Sequence, residues 1–298
     1  MVSDDASEDA GRAVAANIDR RTVASFGAEW AQFPQSEGAL SETDRRAMFD
    51  GYFAIFPWER LPPDSQGADV GCGSGRWAAL VAPRVGRLFV VDPSPEALAV
   101  AQANLAPFAN VTAVEAAADD LPFAPASLDF AYCLGVLHHV PDTPAALRAI
   151  VGKLKPGAPL LIYIYYALDN RGALYRMLWR LSNLGRLILS RAPRPIQTAA
   201  AAAIAYVVYW PVARIAAALD GLGTLPRGWP LSYYRRRSIY VMRTDAYDRF
   251  CTPLEKRFSR AEIARMLEEA GCRDIRFSPD MPFWCAVAFR STAAAVPE

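Results

Sequence analysis

The run ADVGCGSGRW, residues 68–77, places three glycines at alternate positions, Gly71, Gly73 and Gly75, just behind Asp69 at the end of an apolar strand pattern. A chain that turns sharply from strand into helix, with a ligand lying on its backbone, needs positions where a Cβ would collide, and glycine supplies them. A helix pattern follows from Trp77 to Val81, and then a second strand, RLFVVD, ends in the carboxylate of Asp92. Gly71 and Asp92 are 21 residues apart, close to the roughly 20 expected when an acid at the tip of the second strand grips ribose hydroxyls. Each signal alone has a plainer reading, a tight strand–helix turn for the glycines and a surface turn before Pro93 for Asp92.

A dinucleotide fingerprint would need its third glycine at position 76, where Arg76 stands. The pattern here, D-x-G-x-G-x-G with an acid about twenty residues on, resembles class I S-adenosylmethionine (SAM) methyltransferases. ADDLPFAPASLDFAYCLGVLHHVPD (118–142) resembles that family's region from the third to the fourth strand, and LRAIVGKLKPGAPLLIYIYY (147–166) its next helix, Lys-Pro-Gly turn and fifth strand. The match covers roughly 65–166 and resumes at 258–290.

The resemblance implies an α/β fold: a doubly wound, seven-stranded, Rossmann-like methyltransferase sheet, with a helical N-terminal segment and a helical cap inserted after the fifth strand. The expected divisions are a tail and helical lid (1–60), a SAM-binding core (61–166), a basic, apolar cap (167–256), and a C-terminal helix with the last two strands (257–298). From 65 to 166 the order strand, helix, strand, helix, strand, strand, helix, strand itself suggests a parallel doubly wound sheet. Its strand ends would bring Gly71, Asp92 and Leu134 together. FSRAEIARMLEEAGC has a serine N-cap and Gly271 as a stop, and RDIRFS and WCAVAFR read as strands, an antiparallel pair by resemblance.

The resemblance also assigns a SAM site. Gly71 and Gly73, in the loop that Gly75 completes, let the backbone approach the methionine moiety. Asp69 orders its ammonium, Asp92 accepts from the ribose hydroxyls, and Pro93 and Ser94 flank the adenine. Relatives commonly bind the adenine amino group with the acid of a G-D-A sequence. Here 116–120 reads AAADD, so Ala117 replaces that acid and Asp119 is the substitute.

In ASFGAEWAQFP (24–34), Phe26, Trp30 and Phe33 fall on one helical face. Core packing explains that face. The alternative is a lid, because F-G-x-E-W resembles bacterial methyltransferases that set a leading helix over the pocket, where Glu29 and Trp30 would touch substrate. Methyl transfer from a sulfonium needs chiefly in-line positioning of the acceptor, with a base only where the acceptor loses a proton. The only histidines are His138 and His139. Their structural reading is help in starting the next helix, and the catalytic one is His139 as general base. Quinone-pathway O-methyltransferases that resemble this region place glutamates where Gly135 and His138 stand and use them to hold a divalent ion, so no metal is expected here and catechol chemistry is less favoured.

With 298 residues the chain has room for a sizeable core. Its five cysteines lack metal-ligand spacing and several sit in apolar strand patterns, which suggests reduced thiols in the cytoplasm. The start, MVSDDASEDAG, is acidic without an apolar core, so a frayed tail and no secretory signal is expected.

Charge is unevenly spread. From Arg171 to Arg243 there are twelve arginines, no lysine and one acid, Asp220, a balance of +11, so the rest of a chain whose total is +1 carries −10. ALYRMLWRLSNLGRLILSR (173–191) sets Leu174, Leu178, Leu181 and Ile188 on one helical face and Arg176, Arg180 and Asn183 on another. AAAAAIAYVVYWPVARIAAAL (199–219) is apolar but interrupted by Pro211 and Arg214, which favours a buried or interfacial helix over a membrane span. Two accounts stay open for this cap. Either its apolar face packs on the sheet while its arginines are solvated or paired, or it docks on an anionic membrane or captures an acidic or lipidic substrate. Nucleic acid is the weaker reading, since YYRRRSIYV interleaves arginines and aromatics without a recognised RNA module.

The expected function is SAM-dependent methylation of a small organic acceptor, with lipid-linked, prenylated or acidic compounds as the sharper guess. The expected location is cytoplasmic, with peripheral contact at the inner membrane surface. The alternatives are a SAM-fold scaffold on membranes and a SAM-using enzyme that does not transfer methyl.

Overall fold

Residues 17–36, 41–169, 172–226, 228–282 and 284–292 are described in the computed structural model, so the acidic stretch MVSDDASEDAG lies outside them. Two helices lead the chain, α1 (Arg20–Gln32) and α2 (Glu42–Phe53), N-capped by Asp19 and Ser41, whose side chains accept from the N–H groups of Thr22 and Asp44. The core then alternates β1 (Gln66–Val70), α3 (Ala78–Val81), β2 (Arg87–Asp92), α4 (Pro95–Leu105), β3 (Val111–Glu115), β4 (Phe130–Leu134), α5 (Thr143–Lys153) and β5 (Pro159–Tyr163). After a helical insertion, α10 (Arg260–Glu269) leads to β6 (Cys272–Phe277) and β7 (Cys285–Arg290). A reciprocal box closes the start of α10, Ser259 accepting from the Glu262 N–H while the Glu262 carboxylate accepts from the Ser259 N–H.

The seven strands lie in the order β3-β2-β1-β4-β5-β7-β6. The first five are mutually parallel, and β7 runs antiparallel to both β5 and β6. This is a doubly wound α/β sheet of Rossmann-like type, and its strand order reverses between β1 and β4, where such sheets open a crevice at their carboxyl ends.

Both faces are covered, so the central strands are apolar throughout rather than alternating. β4 is buried at every position; Phe130 and Tyr132 pack with Phe49, Phe53 and Val81 on one side, while Ala131 and Cys133 pack with Leu147, Ile150 and Ile263 on the other. All five cysteines are buried free thiols that serve as small hydrophobes.

The insertion comprises α6 (Ala173–Leu189), α7 (Arg194–Ile204), a π-turn (Ala205–Tyr209), α8 (Trp210–Gly221) and α9 (Ile239–Cys251). Pro211 lacks an N–H, and the π-turn just before it lets one helix run on from Arg194 to Gly221. The account in which the apolar face of this cap packs on the sheet holds only in part: Val241, Tyr234 and Tyr240 join the core that includes Tyr132 of β4 and Leu161 of β5. α6 and α7 pack on α9, and Ala201, Ala205, Tyr209 and Ala213 form a separate small core with Met242, Ala246, Tyr247 and Phe33. Leu178, Leu181 and Ile188 are exposed.

Candidate functional site

At the carboxyl ends of β1, β2 and β4 lies a cavity of about 400 Å³, roofed by α1 and walled by the insertion, within the size range of small-molecule sites. Its floor is the turn after β1. The N–H groups of Gly71 and Cys72 both donate to the Val91 carbonyl, at 2.7 and 2.9 Å, which bends the chain sharply off the strand. Gly71 and Gly73 adopt φ of +78° and +53°, and a Cβ would stand 2.3 Å from the Val136 side chain at the first and 2.7 Å from the Trp30 indole at the second. The loop is therefore a cradle only glycine can form.

Asp92 closes the cradle. Its Oδ2 accepts from the Gly73 N–H at 3.0 Å and its Oδ1 from the Ser94 N–H at 2.9 Å. Burial pushes its pKa up to about 6, with the two backbone donors pulling the other way. Pro93, Ala116, Ala118 and Val136 add an apolar slot beside it. A carboxylate fixed at the tip of β2, a bare backbone cradle and an apolar slot fit the diol, amino-acid tail and adenine of SAM.

Gly71, Gly73, Asp92, Pro93, Leu134, Trp30 and His139 all line the cavity. Asp69, Gly75, Asp119 and Glu29 do not, and each has a different placement. Asp69 lies beneath the loop, its Oδ2 buried without a geometric hydrogen-bond partner among the described residues; burial pushes its pKa up to about 8, partly offset by the neighbouring Tyr132 hydroxyl. Gly75 serves packing, since a Cβ there would lie 2.8 Å from Leu105 on α4. Asp119 accepts from the Asn17 N–H at 3.1 Å, and Asn17 in turn pairs with the backbone of Asp142. Its Oδ2 thus ties down the segment that leads into α1, while its buried Oδ1 has no partner among the described residues. Glu29 is 1% exposed with both carboxylate oxygens unpartnered among the described residues. Burial and then the Asp248 charge hold its pKa well above the usual range.

The end of the cavity away from the glycine cradle is aromatic and acidic. Asp245 and Asp248 stand one turn apart on α9. Asp245 Oδ2 accepts from Tyr234 Oη at 2.8 Å, and Asp248 Oδ2 accepts from Tyr165 Oη in a short contact. Burial pushes the Asp245 pKa up to about 6. Arg249 and Arg257 reach the same wall, but both pair with the buried Glu255, at 3.1 and 2.9 Å.

His139 faces this space. Its Nδ1–H donates to the Leu254 carbonyl at 2.6 Å, which fixes the tautomer and leaves the Nε2 lone pair without a partner among the described residues, 3.9 Å from Asp248 Oδ1. Burial lowers its pKa, against the pull of Asp248, so the ring is neutral near pH 7. His138 is turned away, stacked on Tyr165 at 3.8 Å. The acids of α9 went unread in the sequence, although T-D-A-Y-D-R-F places two carboxylates at helical spacing. Among the described residues no group of three or more His, Cys, Asp or Glu side chains could hold a metal ion.

The reversing sheet, the glycine cradle and the carboxylate at the second strand's tip define a nucleoside-cofactor-binding domain of Rossmann-like type. Residues 68–162, about a third of the chain, match the family model described as a methyltransferase domain. Within those residues the chain carries a methyltransferase domain of the class I SAM-dependent type, and SAM is the cofactor that such a domain implies. The ubiquinone biosynthesis O-methyltransferase of Idiomarina loihiensis is 35% identical over 108 residues, which are 35% of this chain and 42% of that protein. Its namesake in Xanthomonas campestris is 33% identical over 102 residues, 34% and 43% of the two chains. The chain thus spans less than half the length of the curated relatives it matches. Among solved structures, the N-methyltransferase NodS of Bradyrhizobium japonicum with S-adenosylhomocysteine is 19% identical, with a TM-score of 0.39 over 48% of this chain and 72% of that one. The phosphoethanolamine N-methyltransferase 2 of Haemonchus contortus is 18% identical, with a TM-score of 0.45 over 86% and 42%.

Proposed function

We propose that this chain methylates an oxygen or nitrogen of a small amphiphilic acceptor, with His139 as the base. The observation that carries the reading is that His139, whose buried Nε2 has no hydrogen-bond partner among the described residues, lines the same cavity as the Gly71–Gly73 cradle and Asp92. SAM supplies an electrophilic methyl group on a sulfonium. Gly71, Gly73 and Asp92 would hold the cofactor's tail and ribose, Trp30 on α1 would cover it, and the tyrosines would orient the acceptor in line. The acceptor's proton passes to His139 Nε2, and the imidazolium that forms lies between the Leu254 carbonyl and the Asp248 carboxylate, both of which stabilise positive charge.

The lining favours an aromatic or prenylated acceptor over an acidic one. Tyr163, Tyr209, Tyr233 and Tyr234 supply ring faces, Asp245 and Asp248 would repel an anion, and the nearby Arg249 and Arg257 are already neutralised by Glu255. The test is transfer of labelled methyl from SAM to a panel of phenols, prenylated quinols, amines and carboxylates, alongside calorimetric titration with SAM and S-adenosylhomocysteine. Labelled phenol or quinol products that disappear in Asp92→Ala support the reading. Cofactor binding with no methyl transfer to any of them would point to a scaffold, or to SAM used for other chemistry.

A further inference from the structure

We infer that the outer side of α6 and of the long helix Arg194–Gly221 is a docking surface for an anionic lipid bilayer, on which the protein lies without crossing. On α6, Met177, Leu178, Leu181, Leu184 and Ile188 are each at least half exposed, Ile188 reaching 71%. The second helix adds Ile196, Tyr206, Val207, Trp210 and Ile215, each about half exposed or more, with Val207 at 72%. Soluble chains rarely leave so many large apolar side chains open along adjoining helices.

Charge identifies the occupant. Residues 172–219 contain six arginines and no acid. Arg186 is buried against the carbonyls of Thr252 and Pro253, Arg194 donates to the Ala24 carbonyl, and Arg214 donates to those of Tyr234 and Arg237. Arg176 and Arg180 are exposed beside the apolar row, and no described acid pairs with either. Arg191, also exposed, donates only to the backbone of its own helix. An apolar row edged by free guanidinium groups matches acyl chains beneath anionic headgroups. A protein partner with an apolar face would have no need of that cationic edge.

Arg194–Gly221 has the length and hydropathy of a membrane span, but only 22% of its most apolar window is buried in the protein. That buried part, Ala201, Ala205 and Ala213, packs on α9, which carries Asp245 and Asp248 of the cavity. Crossing would strip this contact or drag both carboxylates into hydrocarbon. Lying flat keeps α9 in place and exposes only the apolar side. Tyr175 and Tyr209, on these same helices, line the cavity from within, so an acceptor dissolved in the bilayer would meet the enzyme beside its acceptor chamber.

The test is flotation of the full chain with vesicles of phosphatidylcholine alone and of phosphatidylcholine mixed with phosphatidylglycerol, with the Trp210 emission, taken as the difference between wild type and Trp210→Phe because the chain has seven tryptophans, as an independent probe of insertion. The expected result is binding to the mixed vesicles, reversed by salt, with a blue shift of Trp210. Arg176→Gln and Arg180→Gln should each weaken binding roughly fivefold. Leu181→Asp with Ile188→Asp should weaken it roughly tenfold or more, while thermal stability and SAM affinity stay at wild-type values because both positions are exposed. The inference is overturned if folded, SAM-binding protein stays out of both vesicle fractions. It is equally overturned if the paired aspartates leave flotation unchanged, or if light scattering shows a stable dimer that Ile188→Asp dissolves. SAM titration of the same samples separates these outcomes from a failure of the methyl-transfer reading.

Discussion

Asp92 Oδ2 accepts the Gly73 N–H at 3.0 Å, so the carboxylate at the tip of β2 and the middle glycine of the β1 turn form one unit across the sheet's crevice. The same carboxylate accepts the Ser94 N–H that opens α4. Shape and charge in the cradle thus share a single side chain.

Asp92→Ala removes a charged acceptor and releases two backbone donors. Hydrogen bonds to charged groups contribute about 1.5–3 kcal/mol, so SAM affinity should fall roughly ten- to a hundredfold. Calorimetric titration measures this directly. Affinity within a factor of two of wild type would mean that the ribose is held elsewhere.

The pH dependence of the cofactor-free protein follows from Asp69 and Asp92. An unfolded aspartate titrates near 3.8, whereas burial raises these two to about 8 and about 6. The folded state therefore holds more protons between these values, and the stability the two groups contribute is full below about pH 4 and is lost as pH rises toward about 8. A cationic, diol-bearing ligand favours the ionised carboxylates, so its binding releases protons. The thermal shift produced by SAM should grow with pH across this window, and Asp69→Asn should flatten its upper part. Scanning calorimetry with and without SAM at several pH values gives both curves; a shift that shrinks with rising pH would refute the linkage.

Much of this site is legible in the sequence because it is local. The alternate glycines, the acid 21 residues on and the apolar strands lie within one βαβ unit whose geometry is nearly fixed. What is not legible depends on distant packing. Asp119 reads as an adenine acid, yet its Oδ2 accepts from Asn17, 102 positions away, a contact no local pattern announces. Gly75 reads as a cofactor glycine until Leu105 is seen against it. Periodicity shows that α6 has an apolar face, yet not that the face points outward, because that depends on where α9 docks. Asp245 and Asp248 lie just past the arginine-rich run, and only the fold turns them into the cavity.

Gly73 and Gly75 should separate under substitution. Gly73→Val drives a branched side chain into the Trp30 indole at the cofactor surface, and SAM binding should be lost while the fold survives. Gly75→Ala meets Leu105 and Ala101 away from the cavity at a φ of +73°. Overpacking costs about 1–3 kcal/mol, so this variant should melt earlier yet bind SAM within a few-fold of wild type. Thermal melts and titrations of both proteins decide the matter, and a Gly75→Ala protein that keeps its melting temperature but loses SAM would return that glycine to the cofactor site.

His139→Gln keeps a hydrogen-bonding side chain but removes the basic Nε2. General-base catalysis contributes roughly a hundred- to ten-thousandfold, so kcat for an acceptor that must lose a proton should fall by that order while SAM affinity is unchanged. Because burial lowers the His139 pKa, the wild-type rate should already be near its plateau at pH 7 and decline only on the acid side. His138→Gln, which alters the ring stacked on Tyr165 outside the cavity lining, serves as the contrast. It should lower stability more than kcat. Rates measured across pH for both variants test the assignment, and equal kcat losses would reduce His139 to a structural part of the cavity wall.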